Sequence, residues 1–281
     1  MGNKIIDCKT ISDNIRETLK GMVKMMNKQP CLAVISVGED KASKSYVENK
    51  KKACEYIGIK SMVFELQEDT TEQTLLELIN KLNKAKEVNG ILVQLPLPKH
   101  INKETIIRAI STKKDVDCFH PFNVGMIDKE DNLFTPCTAL GCIKVLKECN
   151  VEIEGKHCVV LGRSDIVGKP VANLMLKENA TVTICHSKTK NLKEICKSAD
   201  IIISAIGKPK FIKGGMVKEG VIILDVGINR DKENNLCGDV DIDDVIDKVN
   251  MITPVPKGLG LLTVSILMEN CLMAFYQQNR V

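Results

Sequence analysis

Lys50 lies four residues after Tyr46, and two further lysines, Lys51 and Lys52, follow it directly. At about 3.6 residues per helical turn, Tyr46, Lys50, Ala53 and Ile57 share one face, while Lys51 and Lys52 turn toward water. A lysine within an otherwise apolar stripe loses solvation, which lowers its pKa toward the range where it trades protons near neutral pH. Two readings stay open: an acid/base lysine, or a lysine whose stem packs while its ammonium reaches water. Gln94 offers a partner, because it ends the apolar run Gly90-Ile91-Leu92-Val93 just before Leu95-Pro96-Leu97-Pro98. The prolines restrict that loop, and a primary amide both accepts from an ammonium and donates to a substrate or water. A glutamine that caps backbone groups at a strand end is the alternative. Asp115 and Asp117 flank Val116 in a segment, 113–123, without regular pattern. One such carboxylate can grip paired N–H donors of a guanidine-like or aminopyrimidine ring; a solvated, turn-forming loop has the same pattern.

A second constellation begins at His157-Cys158-Val159-Val160-Leu161, a buried-type strand, and continues through Gly162-Arg163-Ser164-Asp165-Ile166-Val167-Gly168-Lys169-Pro170 into a helix. A strand, a glycine turn and a helix N-terminus cradle a phosphate with backbone N–H groups and the helix dipole. Ser164 stands where the second glycine of G-x-G-x-x-G would be. The next strand ends in Cys185-His186-Ser187-Lys188, with no acid to receive ribose hydroxyls as an NAD site requires. Ser187, Lys188 and Arg163 are instead groups that suit a 2'-phosphate, so NADP is expected over NAD.

The elements that must position these groups alternate. A helix is expected over 11–26, a strand over 31–38, the Lys50 helix up to a stop at Gly58, a strand over 61–66, a helix over 71–85 capped by Thr70 or Thr71, and a strand over 90–94. After a short helix at 104–110 and another ending at 148, strands are expected at 157–161, 180–185, 200–206 and 221–227, with helices between, and a strand ending near Thr253. This predicts an α/β fold of two domains around a cleft: an N-terminal domain with a parallel sheet, residues 1–140 plus 262–281, and a doubly wound Rossmann-like domain, 141–261. The final apolar helix is expected to return to the first domain. Glu269 and Asn270 interrupt its apolar run, which favours a packed helix over a membrane span.

The chain has 281 residues and a formal charge of +4, so no polyanion or membrane surface is implied. Twelve cysteines lack paired spacing and fall largely in apolar runs, which suits reduced thiols. Four histidines show no ligand spacing with them, so no metal is expected. Residues 1–6 are not signal-like, which favours the cytoplasm.

Tyr46-x-x-x-Lys50, Val93-Gln94-Leu95-Pro96-Leu97-Pro98, Lys114-Asp115-Val116-Asp117, Gly162-Arg163-Ser164 with Val167-Gly168-x-Pro170, Cys185-His186-Ser187 and Thr253-Pro254-Val255-Pro256 together resemble the methylenetetrahydrofolate dehydrogenase/cyclohydrolase family. The match runs in order along essentially the whole chain. The resemblance implies oxidation of 5,10-methylenetetrahydrofolate with NADP and hydrolysis of the methenyl product to 10-formyltetrahydrofolate, within one-carbon metabolism and purine biosynthesis. It makes 1–140 plus 262–281 the folate-binding catalytic domain and 141–261 the NADP domain. Lys50 becomes the central acid/base, Gln94 its tuning partner, Tyr46 the stack for the aminobenzoyl ring and Asp117 the pterin grip. Val93, Leu95, Pro256 and Gly260 join the folate site. Arg163 and Ser187 hold the 2'-phosphate, with Gly162, Ser164, Val167, Gly168 and Ile228 completing the cofactor site. A homodimer through the cofactor domain is implied, with no nucleic-acid or membrane partner. Four departures stand against the family pattern, which usually has Gly at Cys118, Pro at Ala139, Gly at Lys257 and Pro at Leu261. Rival readings are a short-chain dehydrogenase, disfavoured because its glycine turn precedes the Tyr/Lys pair, a monofunctional dehydrogenase, and a folate- or nucleotide-binding protein with impaired turnover.

Overall fold

The computed structural model describes residues 4–129 and 131–279, with backbone only at 41–43; residues 1–3 of the N-terminal segment read above lie outside the described residues. The chain divides into two compact units, Asp13–Thr135 with Val264–Val281 and Met1–Ser12 with Pro136–Thr263. They are called here the amino-terminal and carboxy-terminal units. The first residues thus group with the carboxy-terminal unit, not with the first domain as expected. Backbone pairing explains it: Ile6 N donates to Ile252 O at 2.9 Å and Ile252 N to Lys4 O at 2.8 Å, while Lys4 Nζ reaches Ile246 O.

The amino-terminal unit takes most of α1 (Cys8–Lys24), then β1 (Cys31–Val37), α2 (Lys41–Ile57), β2 (Lys60–Leu66), α3 (Glu72–Lys84), β3 (Gly90–Val93), α4 (Lys103–Ala109) and α5 (Pro121–Gly125). Its sheet is parallel with order β2-β1-β3. All seven β1 residues are buried, because a central parallel strand is covered on both faces; each Val, Leu or Ile so buried contributes roughly 1.5–3 kcal/mol. Thr71 caps α3 by accepting from Thr74 N.

The carboxy-terminal unit contains α6 (Cys137–Glu148), β4 (His157–Leu161), α7 (Gly168–Lys177), β5 (Thr181–Cys185), α8 (Leu192–Ser198), β6 (Ile201–Ser204), β7 (Ile222–Asp225), the hairpin β8 (Asn229–Arg230) and β9 (Leu236–Cys237), α9 (Ile242–Val245) and β10 (Met251–Ile252). Its five-stranded parallel sheet runs β10-β7-β6-β4-β5. Renumbered within the unit this is 2-1-3-4-5 from β5 to β10, a doubly wound order whose switch point lies between β4 and β6.

Helix α10 (Leu259–Gln278) begins at Leu259, so Leu261 sits in its first turn. The helix is long and apolar enough to cross a membrane by composition. Its residues Ile266, Leu267, Met268, Cys271, Leu272 and Ala274 are at most 2% exposed, which is the pattern of a core helix, while Met273 and Tyr276 near its end are exposed.

Candidate functional site

Helix α2 follows β1, and β3 lies beside β1, so Lys50 and Gln94 reach the same switch point of the amino-terminal sheet. Val47, Ala53, Cys54 and Ile57 form the buried stripe of α2, and Gly58, at φ +92°, ends it. Lys50 lies where that stripe opens: it is partly buried, and Tyr46 one turn earlier is 38% exposed. Lys50 Nζ donates to Gln94 Oε1 at 2.7 Å. Gln94 Nε2 donates to Leu95 O at 2.7 Å, so the amide nitrogen is committed to backbone and the carbonyl faces the ammonium. Gln94 N donates to Ile35 O, which fixes the residue on the sheet edge. Val93 is buried and Leu95 is partly exposed in the same turn.

The two acids of the loop separate by environment. Asp115 is 1% exposed and accepts from Phe119 N, His120 N and Asn123 Nδ2 at 3.1, 2.9 and 2.8 Å. Burial raises its pKa, and these three donors oppose that shift. Lys114 is buried with Nζ on Leu82 O and Ala85 O, at the C-terminal end of α3, where a cation suits the dipole. Val116 packs on Gly90, where an added Cβ would lie 2.7 Å from Cγ1. Asp117 alone of the four is partly exposed. Asn270 of α10 donates to Val116 O at 2.8 Å and Thr135 O at 3.0 Å, so the residue that interrupts the apolar run clamps the loop beside Asp117. Cys118 adopts φ +58°, a conformation glycine takes without cost, and its buried thiol points at Phe134 O at 3.4 Å. Lys257 likewise sits at φ +71°. Two of the four departures are therefore non-glycine residues held in left-handed backbone.

In the carboxy-terminal unit the glycine turn is dictated by close approach. Gly162 has φ +119° and an added Cβ would lie 2.3 Å from Ala205 O; one on Gly168 would lie 2.4 Å from Gly162 O. Ser164 Oγ accepts from Val167 N and Gly168 N, both at 3.3 Å, and so closes the turn in place of a second glycine. Gly162, Arg163 and Ser187 line one cavity of about 260 Å³ with Leu161, His186 and Phe211. Lys208, which the sequence reading did not single out, lines it too. Its only sequence signal is Gly207-Lys208 directly after the apolar run of β6. Ser164, Val167 and Gly168 build the turn without lining the cavity, and Ile228 is 54% exposed away from its lining. Pro256 and Gly260 belong to this unit, in and just after the turn that leads into α10.

A parallel α/β unit with a lysine–amide pair at its switch point, joined in one chain to a doubly wound unit with a dinucleotide-type turn, defines a two-unit α/β protein of the nucleotide-cofactor class. The chain belongs to the tetrahydrofolate dehydrogenase/cyclohydrolase family: the model of that family's catalytic domain matches residues 6–117, and that of its NAD(P)-binding domain matches 136–279. It is 57% identical over 273 residues to a bifunctional protein FolD of Agathobacter rectalis, covering 96% of this chain and 98% of that one. The crystal structure of the bifunctional FolD from Campylobacter jejuni superposes with a TM-score of 0.93 at 47% identity, covering 97% of this chain and 99% of that one. The Trypanosoma brucei FolD, complexed with NADP cofactor and inhibitor, gives 0.94 at 36% identity, covering 99% and 98%.

Proposed function

We propose that this protein oxidises 5,10-methylenetetrahydrofolate to the 5,10-methenyl form with NADP and hydrolyses that form to 10-formyltetrahydrofolate. The observation that carries the reading is the 2.7 Å contact of Lys50 Nζ with an amide whose orientation is fixed, in a chain 57% identical to a bifunctional relative. In the hydrolytic step, neutral Lys50 takes a proton as water adds to the methenyl carbon. It returns that proton to the ring nitrogen as that carbon–nitrogen bond breaks, while the added hydroxyl gives up its remaining proton to solvent and becomes the carbonyl of the formyl group left on the other nitrogen. Gln94 Oε1 holds Nζ in place through both transfers, because its Nε2 is tied to Leu95 O. Tyr46 stacks on the aminobenzoyl ring, Asp117 accepts from the pterin N–H groups, and Val93 and Leu95 line the folate.

The turn fits a dinucleotide: Gly162 packs against Ala205 O and Gly168 against Gly162 O with no room for a Cβ, which gives the tight strand–turn–helix junction whose helix N-terminus presents backbone N–H groups to a phosphate. NADP, when bound, supplies the hydride acceptor for the oxidation. Arg163 and Ser187 bind the 2'-phosphate, and Gly162, Ser164, Val167, Gly168 and Ile228 complete the site. The amino-terminal unit is the folate-binding catalytic domain and the carboxy-terminal unit the NADP domain. A homodimer and a cytoplasmic location belong to the same proposal, supported by the family resemblance. The test is an absorbance assay with methylenetetrahydrofolate, NADP against NAD, following NADPH, methenyl and 10-formyl species separately. Methenyl formation with accelerated hydrolysis is expected; methenyl accumulation without it indicates a monofunctional dehydrogenase, and neither step indicates a binding protein.

A further inference from the structure

The cofactor cavity opens at the carboxyl ends of β4, β5 and β6, on both sides of the switch strand. Arg163 follows β4 and Ser187 follows β5; the third edge of the cavity, Ala205, Ile206 and Lys208, follows β6. Lys208 Nζ lies 5.3 Å from the Phe211 ring centroid, and both side chains line the cavity. A cation placed on an aromatic wall is held by the ring quadrupole while its remaining N–H donors stay available. No Asp or Glu lines this cavity, and neither Arg163 nor Lys208 has an ion-pair partner among the described residues. Two unneutralised cations, a serine and an apolar wall of Leu192, Ile206 and Phe211 are the surroundings a phosphorylated adenosine needs.

The backbone of the Lys208 loop is fixed by a buried carboxylate. Asp239 is 0% exposed and accepts from Ile206 N at 2.8 Å, Lys208 N at 2.9 Å, Ser204 Oγ at 3.1 Å and Asn229 Nδ2 at 2.9 Å. Gly227 makes room for it, since an added Cβ would lie 2.3 Å from its carboxyl carbon. Asp225 receives Asp239 N and Val240 N and so anchors the segment that carries Asp239. A carboxylate with four donors around it tolerates no amide: replacing one oxygen by NH₂ sets a donor against a donor and frees part of the loop.

We propose that Lys208 is a specificity-determining residue, a second cation for the 2'-phosphate beside Arg163, and that Asp239 is the positioning residue that holds it at the cavity. This rests on the NADP reading above. The test is calorimetric binding of NADP, NAD, adenosine 2',5'-bisphosphate and 5'-AMP to the unaltered protein and to Lys208→Gln, Lys208→Arg and Asp239→Asn. Lys208 is exposed, so its variants fold, and thermal unfolding checks Asp239→Asn. Lys208→Gln is expected to weaken NADP and the 2',5'-bisphosphate about 10-fold, roughly 1.4 kcal/mol, with NAD and 5'-AMP unchanged. Lys208→Arg restores binding. Asp239→Asn lowers the NADP-to-NAD preference in the same direction, and the double variant is no worse in that ratio than Lys208→Gln alone. An equal loss for NAD and NADP, which marks a pyrophosphate contact, overturns the inference, as does no loss at all; the NADP reading survives both. If the unaltered protein binds NAD but neither NADP nor the bisphosphate, the NADP reading falls with it.

Discussion

Lys50→Met is the most informative single change. It keeps an unbranched stem of similar length and deletes the nitrogen that contacts Gln94 Oε1 at 2.7 Å. Positioned general acid/base catalysis contributes about 10²–10⁴-fold, or roughly 2.7–5.5 kcal/mol at about 1.36 kcal/mol per tenfold. Methenyl hydrolysis should therefore slow at least about 100-fold toward the uncatalysed rate. Structure should suffer little, because Lys50 is only partly buried and one side-chain hydrogen bond contributes about 1 kcal/mol. NADP binding should be unchanged, since the cofactor residues belong to the other unit. The assay follows decay of the methenyl absorbance, with NADP binding measured by calorimetry on the same preparation. A companion variant, Gln94→Glu, sets a carboxylate against the ammonium. An anion at that distance favours the charged lysine, so hydrolysis should become fast only at higher pH than in the unaltered protein. Lys50→Met with hydrolysis within tenfold of the unaltered protein refutes the acid/base role, and loss of NADP binding assigns Lys50 a structural one.

The acids of the loop should part in the same way: Asp115→Ala leaves three buried donors unpaired and should cost about 2–4 kcal/mol in denaturant unfolding. Asp117→Asn should keep stability and raise the KM for folate. Lys257→Gly relieves a positive φ at an exposed site and should stabilise by about 0.5–1 kcal/mol, read as a higher denaturation midpoint. Burial pushes Cys8, Cys54, Cys158 and Cys196 up to about 12 and raises Cys149 as well. A raised pKa keeps a thiol protonated, so thiol-reagent labelling of the native protein at pH 8 should be slow and should accelerate as pH rises. Cys149, the one cysteine that is not buried, should react first, and all twelve should react after unfolding.

The parallel strands were legible because each is a short apolar run closed by a turn signal, and burial on both faces demands that composition. The hairpin of β8 and β9 and the short helices α5 and α9 left no such signal: two to five residues carry no periodicity. Grouping Met1–Ser12 with the carboxy-terminal unit was equally invisible, since the pairing of Ile6 with Ile252 joins residues far apart in the chain.

For the site, residue types and spacing single out Lys50, Gln94 and the glycine turn as candidates because they are local patterns, but the expected stripe through Tyr46 and Lys50 is displaced: Val47, Ala53, Cys54 and Ile57 are buried, Tyr46 is exposed and Lys50 borders the stripe. Within Lys114-Asp115-Val116-Asp117, however, two acids with similar neighbours are interchangeable as letters. Only the fold buries Asp115 under three donors, sends Lys114 to the end of α3 and leaves Asp117 partly exposed. Tertiary structure alone also drew Lys208 to the cofactor cavity and set Asp239 beneath it, thirty-one residues away in sequence. Local pattern determines what a segment can form and which groups it carries; desolvation and hydrogen-bond pairing between distant segments decide which of those groups are spent holding the fold and which remain for a ligand.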